Sequence, residues 1–179
     1  FHKALNADRL SAFGGIVALN RECTTEIAKE LSDFFIEIIV APSFTKESLE
    51  IFSSKKNLRV IELVSLDGFN DKTSVRNING GLLLQETDTF TVDAKSLKIV
   101  TDSKISPNTY GTIEFGWTVL KYIKSNGILI VKNNATLGVG AGQVSRIDSV
   151  DIAITKASGD IKDSILLSDA FFPFRDSID

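Results

Sequence analysis

Apolar residues fall along the chain in short continuous runs divided by polar, turn-forming stretches; only a few segments repeat at helical spacing. Residues 15–20 (GIVALN) and 35–41 (FIEIIVA) are continuous runs and predict short buried strands, the second stopped by Pro42. Residues 57–63 (NLRVIEL) predict a third strand. Between them, Thr24 or Thr25 is placed to cap a helix running to about Asp33. Residues 43–53 predict another helix, with Glu47 early and Lys55 and Lys56 past its end, the charge order that suits a helix dipole. With residues 2–10 read as the tail of a helix, the order is helix, strand, helix, strand, helix, strand. That order predicts an α/β fold of three layers, α/β/α.

The next stretch is less regular. Residues 65–76 (SLDGFNDKTSVR) are polar and turn-rich and predict a mobile loop. Asn79-Gly80-Gly81 leads into a strand over 82–86, and 97–100 predicts another short strand. The connector 101–108 contains Pro107 and is the best boundary between two lobes. Residues 112–124 then form the clearest amphipathic helix, with Ile113, Trp117, Leu120 and Ile123 on one face. Gly116 inside it weakens the helix but permits close packing.

Residues 124–147 (KSNGILIVKNNATLGVGAGQVSRI) carry the most information. Ser125-Asn126-Gly127 is a turn signal, and the apolar run 128–131 predicts a strand buried on both faces. Lys132-Asn133-Asn134 is a polar turn, followed by a short apolar piece at Thr136-Leu137. Gly138, Gly140 and Gly142 alternate through what reads as a loop, where a backbone without Cβ atoms can approach a ligand. Ser145 opens a helix to about 158, with Asp148 near a capping-box position and Gly159 at its end. Arg146 then sits in the first turn, where a cation opposes the helix dipole. Either an anionic or carbonyl-rich group faces it, or it is a solvated side chain on a Gly-rich turn. The glycine spacing is G-x-G-x-G, not the dinucleotide fingerprint.

Composition narrows the chemistry. A net charge of −3 argues against a broad grip on nucleic acid, and no apolar run approaches membrane-spanning length. The charged, helix-patterned first twelve residues do not read as a signal peptide. One cysteine, Cys23, excludes an internal disulfide framework and points to a reducing, cytoplasmic setting. The single histidine, His2, removes Ser–His–Asp and Cys–His catalysis and the usual zinc sites from this stretch. Glu37, inside an apolar strand, must be paired, protonated, pointed into a site or exposed on an edge strand. The run Phe171-Phe172-Pro173-Phe174 reads first as core, yet three phenylalanines so close cannot all point inward. Some of them could stack on a flat ring, with Arg175 and Asp176 adding polar contacts.

Six runs match one family in order and spacing. They are Ser11-Ala12-Phe13-Gly14-Gly15-Ile16, Ile38-Ile39-Val40-Ala41-Pro42, Asn79-Gly80-Gly81-Leu82-Leu83, Lys124-Ser125-Asn126, the run from Gly138 to Arg146, and the run from Ser168 to Asp176. The chain resembles, end to end, the formyltransferase domain of the bifunctional purine biosynthesis protein, AICAR transformylase joined to IMP cyclohydrolase. The resemblance implies two tandem lobes of a cytidine-deaminase-like α/β/α fold without zinc. Residues 1–106 would be the end of the first lobe plus connecting strands, and 107–179 most of the second. It implies formyl transfer from 10-formyltetrahydrofolate to the 5-amino group of AICAR, at a site formed on a homodimer interface. Some family members are associated with a potassium ion.

Carried over residue by residue, the resemblance places Gly14, Glu37, Asn126, Arg146 and Phe171 against AICAR, and Ile147 and Asp176 against the folate. Phosphate and carboxamide both remain open as the group met by Arg146. The family's Lys-His pair, expected to move the proton during attack, has no match here, and His2 is not its counterpart. It is expected shortly before Phe1, a Gly-Ser-rich run is expected after Asp179, and the cyclohydrolase domain is missing. The absence of an initiating Met and the ending at 179 fit a piece of a larger protein, inactive by itself. The alternative is a non-catalytic nucleotide-binding or structural module of the same fold. A zinc deaminase would share that fold, but every metal ligand is missing.

Overall fold

The computed structural model describes residues 1–65, 72–159 and 161–178. The fold is mixed α/β and divides into two compact units: Phe1 with residues 8–87, and residues 2–7 with 88–179.

The first unit holds a parallel sheet of three strands, β1 (Gly15–Ala18), β2 (Ile36–Ala41) and β3 (Arg59–Glu62), in spatial order β1-β2-β3. Helix α1 (His2–Ala7) groups with the second unit. Helices α2 (Thr25–Ser32) and α3 (Lys46–Ser53) link the strands. Thr24 is the N-cap of α2, as the pattern indicates. The cap of α3 is Thr45, so the helix starts later than Ser43; the Thr45 hydroxyl accepts from the Ser48 amide at 3.2 Å. Just past the far end of α2, the Lys55 ammonium donates to the Leu31 carbonyl, which also accepts from the Phe34 amide, and to the Phe34 carbonyl. One core joins Cys23, Ala28 and Leu31 to Ile36, Ile39, Ala41 and Phe52. Strand β1 alternates between half-buried and exposed residues, with Ile16 66% exposed, so it is not the fully buried strand its composition indicates. It lies at a sheet edge and turns only alternate residues to the core.

Glu37 is not on an edge. Strand β2 is central, and Glu37 is exposed because the register slips beside it: Gly15 pairs with Ile36, while Ile16 pairs with Ile38. The slip leaves Glu37 without a ladder position and lets Ile36 and Ile39, three apart, both reach the core.

Two expectations in the middle of the chain need correction. Part of 65–76 is strand: β4 (Thr73–Ile78) pairs antiparallel with β5 (Gly81–Glu86) through a two-residue turn at Asn79-Gly80, with Gly80 at φ +83°. The Asn-Gly pair was the hairpin signal, but the strand before it lacks alternation of polar and apolar residues. The rest of the expected loop, 66–71, lies outside the described residues. Residues 97–100 form no strand; a 3₁₀ turn (Ala94–Ser96) precedes them, and Val100 is 82% exposed with no strand to pair with among the described residues.

The second unit is built on an antiparallel sheet, β6 (Ile128–Lys132), β7 (Ala135–Gly140) and β8 (Ile165–Ser168), in order β7-β6-β8. Strand β6 is central and buried on both faces, as its run of four aliphatic residues indicates. Alternate side chains divide between two cores. Ile128 and Ile130 pack with Val150, Ala153 and Ala157 of the helix α5 (Arg146–Lys156) and its C-terminal flank. Leu129 and Val131 pack with Leu120 and Leu167 under α4 (Tyr110–Leu120). Gly116 serves that second contact as expected: a Cβ there would lie 2.7 Å from the Leu167 side chain. The polar turn at Asn133-Asn134 takes positive φ at both residues, the conformation of a tight two-residue hairpin.

Candidate functional site

The alternating glycines do not form a loop. Gly138 and Gly140 lie in β7, directly across from Ile130 and Ile128, on the face beneath α5. A Cβ at Gly138 would overlap the Ala153 carbonyl, and one at Gly140 the Ser149 carbonyl. These two glycines therefore admit a helix backbone, where the sequence pattern pointed to a ligand. Only Gly142, at φ +70°, is a loop glycine; its amide donates to the Lys124 carbonyl at 2.8 Å.

That close approach sets the start of α5 beside two loops, the turn before β6 and the segment after β8. Ser145 is the N-cap of α5 but makes no side-chain cap bond. Arg146 follows, and its side chain is held on three sides. One terminal nitrogen, Nη1, donates to Asp169 Oδ1 at 2.5 Å and to Ser168 Oγ at 2.9 Å; the other, Nη2, donates to Asn126 Oδ1 at 2.7 Å. The anionic group that its place in the first turn called for is thus internal, the carboxylate of Asp169. Three of its five N–H donors are used, which leaves one on Nη2 and the one on Nε.

Asn126 is equally constrained. Its amide nitrogen donates to the Gln143 carbonyl at 3.0 Å and the Val144 carbonyl at 2.9 Å, so its oxygen is left to face Arg146. The Asn126 carbonyl accepts from the buried Ser149 hydroxyl at 2.7 Å, which ties the turn to α5. Asp169 Oδ1 also accepts from the Gly127 amide at 3.0 Å, and the Asp169 amide donates back to the Gly127 carbonyl at 3.2 Å. Burial pulls the Asp169 carboxyl upward, but hydrogen bonds from Ser125, Arg146 and the Gly127 amide together outweigh it. They hold its pKa below the usual carboxylate value.

Asn126 and Arg146 open onto a cavity of about 370 Å³, lined also by Ile147, Phe171, Phe174 and Asp176 among others. Of the aromatic turn, Phe172 packs against the core under α5, while Phe171 and Phe174 are 80% and 73% exposed. The three phenylalanines part ways, as their spacing required. Five of the seven residues singled out from the sequence, Asn126, Arg146, Ile147, Phe171 and Asp176, meet at this one cavity. Gly14 and Glu37 lie in the first unit and adjoin each other. A Cβ on Gly14 would sit 3.9 Å from a Glu37 carboxylate oxygen, and the Gly14 amide donates to the Phe35 carbonyl at 2.9 Å. Gly14 has φ +74°, so the left-handed turn favours glycine.

A family model described as the AICARFT/IMPCHase bienzyme matches residues 1–156. The chain belongs to this family. The resemblance carried by the six sequence runs is borne out. The bifunctional purine biosynthesis protein PurH of Anoxybacillus flavithermus is 44% identical over all 179 residues of the chain. Those of Caldicellulosiruptor bescii and Bacillus thuringiensis are each 42% identical over the same span. In each case the chain spans about 35% of the relative's length.

Asp169 and Ser168 were not singled out from the sequence. The signal was available: an arginine at the head of a helix needs a counter-charge, and Ser168-Asp169 stand at the end of a strand, inside one of the runs shared with the family. Among the described residues, no group of three or more His, Cys, Asp or Glu side chains is placed to hold a metal ion. No described helix is long and apolar enough to cross a membrane.

Proposed function

We propose that this chain supplies part of the substrate site of an AICAR formyltransferase in de novo purine biosynthesis, within a longer cytoplasmic protein that also closes the ring to IMP. On this reading residues 1–106 and 107–179 belong to two tandem cytidine-deaminase-like α/β/α lobes, and the intact protein works as a homodimer. Membership of the family supports the reaction class. The observation that carries the site is the cavity where a constrained guanidinium meets an exposed aromatic wall.

In the reaction, the 5-amino nitrogen of AICAR attacks the formyl carbon of 10-formyltetrahydrofolate. The new N–C bond forms, the bond from that carbon to N10 breaks, and the amine proton ends on N10. The proton is handled by the Lys-His pair of the family motif, which has no match in this chain. The residues present bind and orient. Gly14, Glu37, Asn126, Arg146 and Phe171 hold AICAR, and Ile147 and Asp176 hold the folate. Because Asp169 already neutralises Arg146, its two remaining donors suit the carboxamide oxygen of AICAR better than a phosphate dianion. Phe171 offers a ring face to a flat heterocycle.

The test is calorimetric titration with AICAR and a folate analogue, beside a formyl-transfer assay. The full-length protein should turn over and the 179-residue chain alone should not. Arg146→Ala should weaken AICAR binding at least about tenfold, the scale of a lost charge-assisted hydrogen bond. Normal turnover by the isolated chain, or unchanged affinity in Arg146→Ala, refutes the assignment. A non-catalytic nucleotide-binding module would bind AICAR without any formyl transfer by the full-length protein.

A further inference from the structure

We propose that Asp169 is a positioning residue that presents Arg146 and the 125–127 turn to the cavity; the inference rests on the function proposed above. Its geometry is that of a clamp. One carboxylate oxygen accepts both from the Arg146 guanidinium and from the Gly127 amide, while the Asp169 backbone bonds back to Gly127. The segment after β8 is thereby tied to the turn before β6 and to the head of α5. Asp169 is absent from the residues lining the cavity, so it acts through Arg146 without meeting a ligand there.

The rest of the network depends on that clamp. The two hydrogens of the Asn126 amide go to the Gln143 and Val144 carbonyls, so this side chain has no donor left for a ligand. Its oxygen steers Arg146 with one lone pair and keeps the other to accept from a ligand. Ser168 likewise accepts from Arg146 while donating to the Ala170 carbonyl at 2.7 Å. Arg146 is the one member of this group with donors to spare, and their direction is set by its three acceptors. Of those acceptors only Asp169 carries charge, and its side chain is 21% exposed while that of Arg146 is 10% exposed. Removing the charge leaves a nearly buried guanidinium at the positive end of a helix, where rotation toward solvent relieves it.

The experiment uses the full-length protein with Asp169→Ala, Asp169→Asn, Arg146→Ala and the Asp169→Ala/Arg146→Ala double variant. AICAR affinity is measured by calorimetry and melting temperature by circular dichroism. Asp169→Ala should weaken AICAR binding about tenfold to a hundredfold. Asp169→Asn, whose amide oxygen can still accept from Arg146 and Gly127, should restore part of the loss. In the Arg146→Ala background, Asp169→Ala should add less than about twofold. A merely structural role would lower the melting temperature but leave the two affinity losses multiplicative. That outcome, or wild-type affinity in Asp169→Ala, overturns the proposal. If Asp169→Ala does not fold, Asp169→Asn decides: a loss smaller than that of Arg146→Ala supports positioning, and no loss refutes it. A wild-type protein that binds no AICAR refutes the proposed function alone. Positioning is then read from a crystal structure of Asp169→Asn or Asp169→Ala: Arg146 turned away from Asn126 in the alanine variant supports it, and Arg146 unmoved in both refutes it.

Discussion

Gly140→Ala probes the contact on which the site geometry rests. The added methyl would overlap the Ser149 carbonyl oxygen and lie 2.6 Å from its carbon and 2.8 Å from the Ser149 Cα. These are backbone atoms of α5, so no side-chain rotation makes room, and strand and helix must part. Overpacking of this kind costs about 1–3 kcal/mol, and a backbone obstacle places it near the upper end, about 3 kcal/mol. Alanine also restricts the unfolded chain, which offsets up to about 1 kcal/mol. The net loss is about 2 kcal/mol, or a fall of about 4–8 °C in melting temperature for a chain of this size. The same displacement draws Ser149 away from the Asn126 carbonyl and shifts the start of α5, so on the proposed function the full-length protein's affinity for AICAR should fall in step. Thermal and urea unfolding followed by circular dichroism, with calorimetry for the ligand, measure both effects. Gly111→Ala is the control: it lies in the first turn of α4 with nothing within 4 Å of the added methyl, and should be neutral or stabilising by up to about 1 kcal/mol. A Gly140→Ala protein as stable as wild type, with unchanged affinity, would refute the claim that glycine is there for helix approach.

Two further outcomes test the network and the first unit. The Asp169 carboxyl is held below its ordinary value of about 3.9, so its contribution to stability is complete above that pH and is lost as pH falls through the lower folded value. Urea midpoints taken from pH 7 down to pH 3 should therefore fall less steeply in Asp169→Asn than in wild type; parallel curves would show that the ion pair adds nothing. Thr45→Ala removes the oxygen that accepts from the Ser48 amide and should cost about 1 kcal/mol in urea unfolding; an unchanged midpoint would mean that the cap contributes nothing.

What the sequence determined by itself was local and periodic. Four consecutive aliphatic residues at 128–131 required a strand covered on both sides, and β6 is covered on both sides. Helical spacing marked the apolar face of α4, and Ser145 marked the start of α5. A cation in the first turn signalled a missing anion, and the shared runs pointed to the family.

Tertiary structure decided what those signals left ambiguous. Alternating glycines admit a ligand or a helix with equal ease, and only the packing of α5 on β7 shows that Gly138 and Gly140 admit the helix. The charge beside Arg146 comes from Asp169, 23 residues away, a distance that no local period encodes. That Glu37 is exposed on a central strand follows from strand order and a register slip, and both depend on which strands pair. Periodicity records which side of an element is buried. Which atoms meet it is decided when the chain closes on itself.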